Sequence, residues 1–303
     1  EEPWDGAIHS ALLAAEEDGD IEYEFVDSLH TADEMERALR DILESEAPDI
    51  VFGDAFAAED AVRAVAVDYP PDTAFVFGSG GEEQAPNFSV FDNWMQDPAY
   101  LAGMLAGGLT TSNTIGVVAA MPIPRGQPHR QRLHRRGVGE TNAEATVTVS
   151  FINSFFDPAT AKQAAEAAIA GGADVLFAER DGVIAAASEH SLPVFGMMVD
   201  QQQQAPPDHV VSSLLWNMRP TVDAVVASVI DGSFAASNLA EYSFMVNGGS
   251  SLAPINTGTA FEIPPAELIE QVEAREAEIL DGSFQTPPVD EDAPAGATTV
   301  GGE

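Results

Sequence analysis

The chain has 303 residues, 45% of them hydrophobic, with 50 acidic residues against 12 basic ones and a formal net charge of −38. A chain of this length can bury one large core or two medium ones, and two domains are the better expectation. The shortage of basic residues argues against nucleic-acid binding, which needs a positive surface to neutralise phosphates. The absence of cysteine excludes disulfides, thiolate metal sites and a cysteine nucleophile. No apolar run approaches the about 20 residues that a membrane-spanning helix needs.

The acidic excess belongs to a folded protein rather than to a disordered acidic chain, because the hydrophobic content is normal. High salt screens charge over a few ångströms and removes the self-repulsion that would otherwise oppose folding. We therefore interpret the charge as an adaptation to a saline medium. It does not indicate a particular function.

Short apolar segments alternate with helical patterns of about a dozen residues, which predicts parallel βαβ units. In the first half the pattern predicts strands over 21–26, 49–53, 74–78 and 88–91. It predicts helices over 7–18, 32–46 and 98–109, and a further helix that follows the second strand and ends at about residue 68. In the second half it predicts strands over 114–119, 147–151, 174–178, 193–198, 210–215 and 242–246 and helices over 159–170, 182–190, 220–230 and 265–280. Thr31 and Glu34 form a capping box for the second helix.

Two successive sets of such units predict two similar α/β lobes with a cleft between them. A parallel unit should open with a strand, whereas this sequence opens on the loop after one. We therefore expect that the first strand of the sheet is missing from the sequence. The residues 284–303, rich in proline, acids and glycine, are expected to form a disordered tail.

The stretch from Ser150 to Pro158 joins a predicted strand to a predicted helix and carries two adjacent aromatic residues, Phe155 and Phe156. Asp157 is placed to cap the helix, and Pro158 fits its first position. Ligands of open α/β sheets bind at the carboxyl ends of the strands, which makes this turn a candidate site. The alternative is that both rings fill the core.

Eight short motifs also follow one another in the order found in one known family. They are W-D-G at 4–6, D-I-V-F-G-D-A-F at 49–56, Y-L-A-G-M-L-A-G at 100–107, I-G-V-V-A-A-M-P-I-P at 115–124, S-F-F-D-P at 154–158, G-G-A-D-V-L at 171–176, G-M-M-V-D-Q at 196–201 and D-G-S-F at 231–234. In these motifs the chain resembles the basic-membrane-protein family of ABC-transporter solute-binding proteins, the receptors for purines and purine nucleosides. The resemblance extends from Trp4 to about Ser283. The near absence of lysine is similar to haloarchaeal proteins, so we expect a halophilic, archaeal source.

The resemblance implies a type I periplasmic-binding-protein fold, in which two doubly wound parallel-sheet lobes are joined by a three-segment hinge and close on a ligand. The lobes would comprise 1–111 with about 218–240, and 112–217 with about 241–283. It also implies a purine held between aromatic rings from the two lobes, an ABC permease as the partner, and no cofactor. We expect a monomer at the extracellular face of the membrane, anchored by a lipid on an N-terminal segment that this sequence lacks.

Carried over by position, the resemblance implies that Trp4 stacks on one face of the purine and Phe155 on the other. Asp5 stands where the family usually has asparagine, and a carboxylate, which only accepts hydrogen bonds, favours a ligand edge rich in N–H groups. An N-cap of the first helix is an equal alternative for Asp5, and pocket and core are equal alternatives for Phe56. Phe156 is expected to face the core.

Two departures from the family pattern weaken the case for a nucleoside. In the nucleoside receptors the run near Gly196 carries two acids, of which only Asp200 is present here, and a lysine is replaced by Trp216. In those receptors the lysine and an aspartate help to hold the ribose. A free base such as adenine or hypoxanthine is therefore favoured.

Five of the twelve basic residues lie between Arg125 and Arg136. This cluster would pair with surrounding acids, dock on the transporter or contact an anion. His129 and His134 do not share a helix face, so no metal site is predicted. The sequence has no phosphate-binding G-x-x-x-x-G-K-[ST] loop and no G-x-S-x-G elbow. Two alternatives to a transport receptor remain open, a ligand sensor in a signalling pathway and, less favoured, a purine-nucleoside hydrolase.

Overall fold

The structure is a computed structural model that describes residues 3–56, 58–69, 73–121, 130–203, 209–257, 264–287 and 298–299, with the backbone alone at 130–135, 203 and 299. It divides into two units. The first comprises Glu1–Trp94 and Asn217–Gly249, and the second comprises Met95–Trp216 and Ser250–Glu303. The division gives the helix at Gln96–Leu109 to the second unit. The boundary at 111 that the sequence suggests would place this helix in the first.

The first unit contains a sheet of three parallel strands in the order β1–β2–β3. Its elements are α1 (Pro3–Glu17), α2 (Ala32–Ser45), β1 (Ile50–Asp54), α3 (Glu59–Asp68), β2 (Ala74–Gly78), β3 (Phe88–Phe91) and α8 (Arg219–Ile230). All residues of β2 and β3 are buried, and the rings of Phe77 and Phe88 stack at 5.6 Å between their centroids. The strands are parallel, so their carboxyl ends meet at one edge of the sheet.

Residues 21–26, which alternate in sequence like a strand, do not form one. The side chains of Phe25 and Val26 are 60% and 55% exposed. A strand needs a neighbour for its N–H and C=O groups, and in the described part of the chain no strand pairs with this segment. The prediction of a strand here is therefore wrong. The strand predicted at 242–246 is also wrong, because short 3₁₀ turns occupy that segment.

The second unit contains a seven-stranded sheet in the order β10–β5–β4–β6–β7–β8–β9. Its elements are α4 (Gln96–Leu109), β4 (Thr114–Ala119), α5 (Arg130–Thr141), β5 (Thr146–Phe151), α6 (Pro158–Ala170), β6 (Val175–Ala178), α7 (Val183–Glu189), β7 (Val194–Met198), β8 (Val210–Trp216), β9 (Ser250–Leu252), α9 (Ala266–Leu280) and β10 (Thr298–Thr299). The strands pair in parallel except β9, which is antiparallel to β8. Parallel strands with crossover helices confirm the predicted α/β class.

Two predicted helix starts are confirmed by their side-chain bonds. The capping box at Thr31 and Glu34 is present in both directions. Asp157 accepts a hydrogen bond from the backbone N–H of Thr160 at 3.0 Å, and Pro158 is the first residue of α6. Hydrogen bonds from Thr160 lower the pKa of Asp157. These caps fix where α2 and α6 begin.

In place of the disorder expected from residue 284, the segment after α9 packs on α4. The ring of Phe284 lies 5.3 Å from that of Tyr100, and the Arg275 guanidinium carbon lies 3.9 Å from the Phe284 centroid. Tyr100 donates a hydrogen bond to Glu140, which also pairs with Arg275. Burial and the bond to Glu140 raise the pKa of Tyr100 to about 12. Further along, Thr298–Thr299 adds a short parallel strand to β5, while residues 288–297 and 300–303 lie outside the described residues.

Asp174 joins the α4–β4 connection to the start of β6. Its carboxylate accepts hydrogen bonds from the Thr110 hydroxyl (2.5 Å), from the N–H and hydroxyl of Thr111 (2.7 and 2.8 Å) and from the N–H of Ser112 (2.7 Å). Burial opposes ionisation of this carboxyl, but the hydrogen bonds outweigh it and lower its pKa. Asp174 is therefore a charged group on which the folded unit depends.

Replacing Asp174 by Asn is expected to lower the free energy of unfolding by about 2 kcal/mol near neutral pH, as for other hydrogen bonds to a charged group. Since the folded pKa is lower than the unfolded one, the carboxylate contributes fully above the unfolded pKa of about 3.9, and its contribution is lost as the pH falls through the folded pKa. Denaturant titration at neutral and at acid pH measures both effects, with Asp41→Asn on the exposed face of α2 as the charge-matched control. A loss of stability that is the same at both pH values would contradict the prediction.

Replacing Phe284 by Ala is expected to destabilise the protein by about 1–2 kcal/mol, because it removes a ring that packs on Tyr100 and receives the Arg275 guanidinium. Thermal unfolding in high salt measures the change. The exposed neighbour Gln285→Ala is the control and should leave stability unchanged. If Phe284→Ala were as stable as Gln285→Ala, the Phe284 ring would contribute nothing to the stability of the fold.

Candidate functional site

Trp4 lies at the carboxyl edge of the first unit's sheet, in the first turn of α1. Its indole stacks on Phe91, the last residue of β3, with 5.6 Å between centroids and 9° between planes. It also covers Gly78, the last residue of β2, so closely that a Cβ there would lie 1.9 Å from the indole. Glycine at 78 thus makes room for the ring. Phe91, which sequence analysis assigned only to a strand, is the support that holds Trp4.

Asp5 and Phe56 are both exposed on the first unit. Helix α1 begins at Pro3, so Asp5 lies within its first turn and the N-cap alternative is wrong. A carboxylate in the first turn is favourable because of the helix dipole. Phe56 follows β1 and is 49% exposed, and its N–H donates to Asp54 Oδ1 at 2.9 Å. Phe56 is therefore not part of the core.

Phe155 and Phe156 lie in the turn between β5 and α6, and both rings are exposed. Phe155 is 36% exposed and Phe156 is 67% exposed, so the prediction that Phe156 faces the core is wrong. The core position below the turn is already filled by Phe151 and Ile152, each 2% exposed. The N–H of Phe156 donates to the Ser154 hydroxyl at 3.2 Å, which tightens the turn.

Arg180 contacts Phe155 from the loop after β6, and sequence analysis missed it. Its Nη1 donates to the Phe155 carbonyl at 2.7 Å, and its guanidinium carbon lies 5.8 Å from the Phe155 ring centroid. Gly182, with φ of +100°, ends this loop against Pro158, where a Cβ would lie 2.2 Å from the Pro158 carbonyl oxygen. The sequence signal that could have identified Arg180 is a basic residue two positions after a buried strand, in a chain that has only 12 basic residues.

Asp200 follows β7 and is half-buried, and its Oδ1 accepts the N–H of Gln202 at 3.0 Å. The adjacent Gln201 is buried, with its Oε1 accepting the N–H of Met197 at 2.9 Å and its own N–H donating to the Ser213 hydroxyl at 3.1 Å. These bonds hold the loop after β7 onto β8. Asp200 is therefore fixed in place by its neighbours.

Trp216 is the last residue of β8 and is 6% exposed. It stands opposite Ser250 in the antiparallel pairing of β8 with β9. Its position at a strand end agrees with the placement of the other candidates. Because Trp216 is buried, its ring does not project into solvent.

Three residues with left-handed backbone conformations lie just after or at the ends of strands. Ser79 follows β2 with φ of +57°, Asn153 follows β5 with φ of +54°, and Met198 ends β7 with φ of +73°. Non-glycine residues adopt this region at a cost and cluster at ligand-binding sites. Such conformations thus occur at the carboxyl edges of both sheets, and they also occur at Ser28, Ala47, Asn113 and Ser191.

Within the described residues, no group of three or more histidine, aspartate or glutamate side chains could hold a metal ion. No described helix is long and apolar enough to cross a membrane. Most of the basic cluster at 125–136 lies outside the described residues, because these exclude residues 122–129 and the side chains of 130–135. Its last member, Arg136, is exposed on α5.

The family model for ABC transporter substrate-binding proteins of the PnrA-like type, Bmp, matches residues 1–245. TsgA13 of Haloferax volcanii, provisionally named an ABC transporter glucose-binding protein, is 32% identical over 236 residues. That match covers 77% of this chain and 59% of the relative's length. A purine-binding protein of Brucella abortus and the nucleoside-binding protein BmpA of Lactococcus lactis are each 24% identical, covering 84% and 78% of this chain and 71% of each relative.

Solved structures give the same fold. A transcriptional activator of the comK gene from Bacillus halodurans has a TM-score of 0.78 at 20% identity, covering 93% of this chain and 95% of its own. An ABC transporter solute-binding protein from Conexibacter woesei has a TM-score of 0.71 at 21% identity, covering 94% of both chains. The α/β fold of periplasmic-binding type is thereby confirmed. The match to a family of substrate-binding proteins, and not the fold, speaks against the enzyme alternative. With most of its length matched by the family model, the chain belongs to the Bmp family of ABC transporter substrate-binding proteins.

Proposed function

We propose that this chain binds a purine, as the free base rather than the nucleoside, for uptake by an ABC importer. The observation that carries the proposal is an aromatic ring at the carboxyl end of the sheet in each unit. Trp4 stacks on Phe91 in the first unit, and in the second unit the Arg180 guanidinium carbon lies 5.8 Å from the Phe155 ring centroid. Each of the two rings would offer a flat surface on which a purine face stacks.

Stacking suits a purine because the base offers two flat π-faces. Stacking of a base on an aromatic side chain contributes about 1–3 kcal/mol in proteins that bind single-stranded nucleic acids. The support of Trp4 by Phe91 holds its ring before the ligand arrives, which lowers the entropic cost of binding. The exposed ring of Phe56 would add apolar contact at the same edge of the first unit.

Hydrogen bonds would select the ligand's edge. Asp5 and Asp200 carry carboxylates, which accept from N–H groups and donate nothing when ionised. Trp216 occupies the position at which nucleoside receptors of the family have lysine, and it is 6% exposed. A large buried ring there would fill the space of a ribose, which favours a free base.

A hexose is the second candidate ligand. It is favoured by the name of the Haloferax volcanii relative, an ABC transporter glucose-binding protein. The purine is supported by the Brucella abortus relative, a purine-binding protein. Sugars also pack on aromatic side chains, so the rings alone do not distinguish the two ligands. Direct binding measurements with purines and with hexoses distinguish the two.

The remaining expectations concern the setting of this receptor. As an importer's substrate-binding protein it would face the cell exterior, act as a monomer, deliver its ligand to the permease and be held at the membrane by a lipid. A saline medium would account for its charge of −38. Neighbouring genes for a permease and an ATPase would support transport, whereas a neighbouring kinase gene would support the sensor alternative.

Calorimetric titration in molar KCl is expected to show binding of a free purine base and weaker binding of the nucleoside and of glucose. Phe155→Ala should weaken purine binding by about tenfold, as expected for loss of one stacking face. Phe156→Ala is the matched control and should change affinity little, because this exposed ring lies outside the proposed contact. Binding of glucose alone, or equal effects of the two substitutions, would overturn the proposal.

Tryptophan fluorescence offers an independent check, because a purine stacked on an indole quenches it. The quenching expected on purine addition should be reduced in Trp4→Phe, which keeps an aromatic ring over Gly78 and Phe91 and leaves Trp216 as the indole near the ligand. Trp94→Phe is the control and should retain the full quenching. Quenching of unchanged size in Trp4→Phe would place the ligand away from this residue.

A further inference from the structure

Arg180 is a basic residue at the carboxyl edge of the second unit's sheet, two residues after β6. The other basic side chains described in this unit lie on helices, namely Arg136 on α5, Lys162 on α6 and Arg275 on α9. Arg180 thus differs from them in facing the turn where ligands of this fold class bind.

The register of the sheet brings Arg180 to Phe155. Strand β4 lies between β5 and β6, with Ala119 beside Phe151 and Val118 beside Ala178. The turns that follow β5 and β6 therefore leave the sheet at nearly the same level.

Two hydrogen bonds to backbone oxygens fix the guanidinium in this position. Nη1 donates to the Phe155 carbonyl at 2.7 Å and Nε donates to the Glu179 carbonyl at 2.6 Å. The close approach of Gly182 to Pro158 holds the loop that carries Arg180 against the start of α6. An arginine fixed at both Nε and Nη1 has a set orientation, so its planar group is pre-organised beside the Phe155 ring.

We propose that Arg180 determines specificity within this site, by selecting a 6-oxopurine such as hypoxanthine or guanine over adenine. The inference rests on the proposed function, since it takes the Phe155 face as the purine-stacking face. Arginine has five N–H donors and no acceptor, so it disfavours an edge on which a donor replaces one of two adjacent acceptors.

The chemistry of the purine edge explains the selection. A 6-oxopurine presents O6 and N7 as adjacent acceptors, the pair that arginine contacts in a bidentate manner when proteins recognise guanine. Adenine presents an amino donor at position 6, which would face the guanidinium donors. The Asp200 carboxylate, which follows β7 in the same unit, would accept from a ring N–H group of that ligand. Donors and acceptors in this unit then match a 6-oxopurine.

The test is calorimetric titration of hypoxanthine and adenine, in molar KCl, into the wild-type protein and three variants. The wild type is expected to bind hypoxanthine at least about tenfold more tightly than adenine, the discrimination that a bidentate contact provides. Arg180→Met should lose that preference, because hypoxanthine affinity falls while adenine affinity stays nearly constant. Arg180→Lys should be intermediate, since an ammonium lacks the planar fork. Lys162→Met removes one positive charge from α6 and should keep the wild-type preference.

A general role in positioning Phe155 predicts a different result. Arg180→Met would then weaken hypoxanthine and adenine binding equally, as Phe155→Ala does, and the specificity proposal would be overturned. A wild-type preference for adenine would overturn it as well. A wild type that binds glucose and neither base would instead refute the proposed function itself. Thermal unfolding of each variant in the same buffer verifies that the compared proteins are folded.

Discussion

Parallel pairing of the strands is the constraint on which the candidate site depends. Parallel strands must be joined by crossovers, so the parallel strands of a unit point the same way and their carboxyl ends reach the same edge. Residues that are far apart in sequence are thereby placed together at one edge of the sheet. The turn of Phe155 and the loop of Arg180, separated by a whole helix, meet because β5 and β6 flank β4.

The few basic residues are placed where they stabilise acidic surfaces. Arg219 pairs with Asp18 and Asp20 at 2.7 Å and with Asp223 at 2.5 Å, and this joins α8 to the segment after α1. Hydrogen bonds to these carboxylates raise the pKa of Arg219. Exposed ion pairs of this kind weaken when salt screens them. Stacking on aromatic rings, as by Arg275 on Phe284, depends less on long-range charge and suits a protein in high salt.

Local rules were enough to predict the order of elements and the helix starts, because caps and strand patterns act over a few residues. The capping box at Thr31 and the cap at Asp157 illustrate this. The predictions that failed did so because tertiary contacts, which local patterns do not report, determine the structure there. Residues 21–26 have strand-like alternation but no paired neighbour among the described strands, and Phe156 points outward because Phe151 and Ile152 already fill the core beneath it. Phe91 and Arg180 escaped prediction for the same reason, since their importance comes from residues that are distant in sequence and adjacent in space.

The loops that carry the candidate residues are held largely through backbone groups. Arg180 binds the Phe155 carbonyl, Gln201 accepts the N–H of Met197, and Asp54 accepts the N–H of Phe56. Such bonds fix the course of the chain without fixing the identity of the residue whose backbone they engage. A side chain that points at the ligand can then change while the loop stays in place. This arrangement is compatible with relatives at 24–32% identity that are named for glucose, purine and nucleoside binding. In the proposal for this chain, a few side chains such as Arg180 and Trp216 decide the ligand, and the frame only presents them.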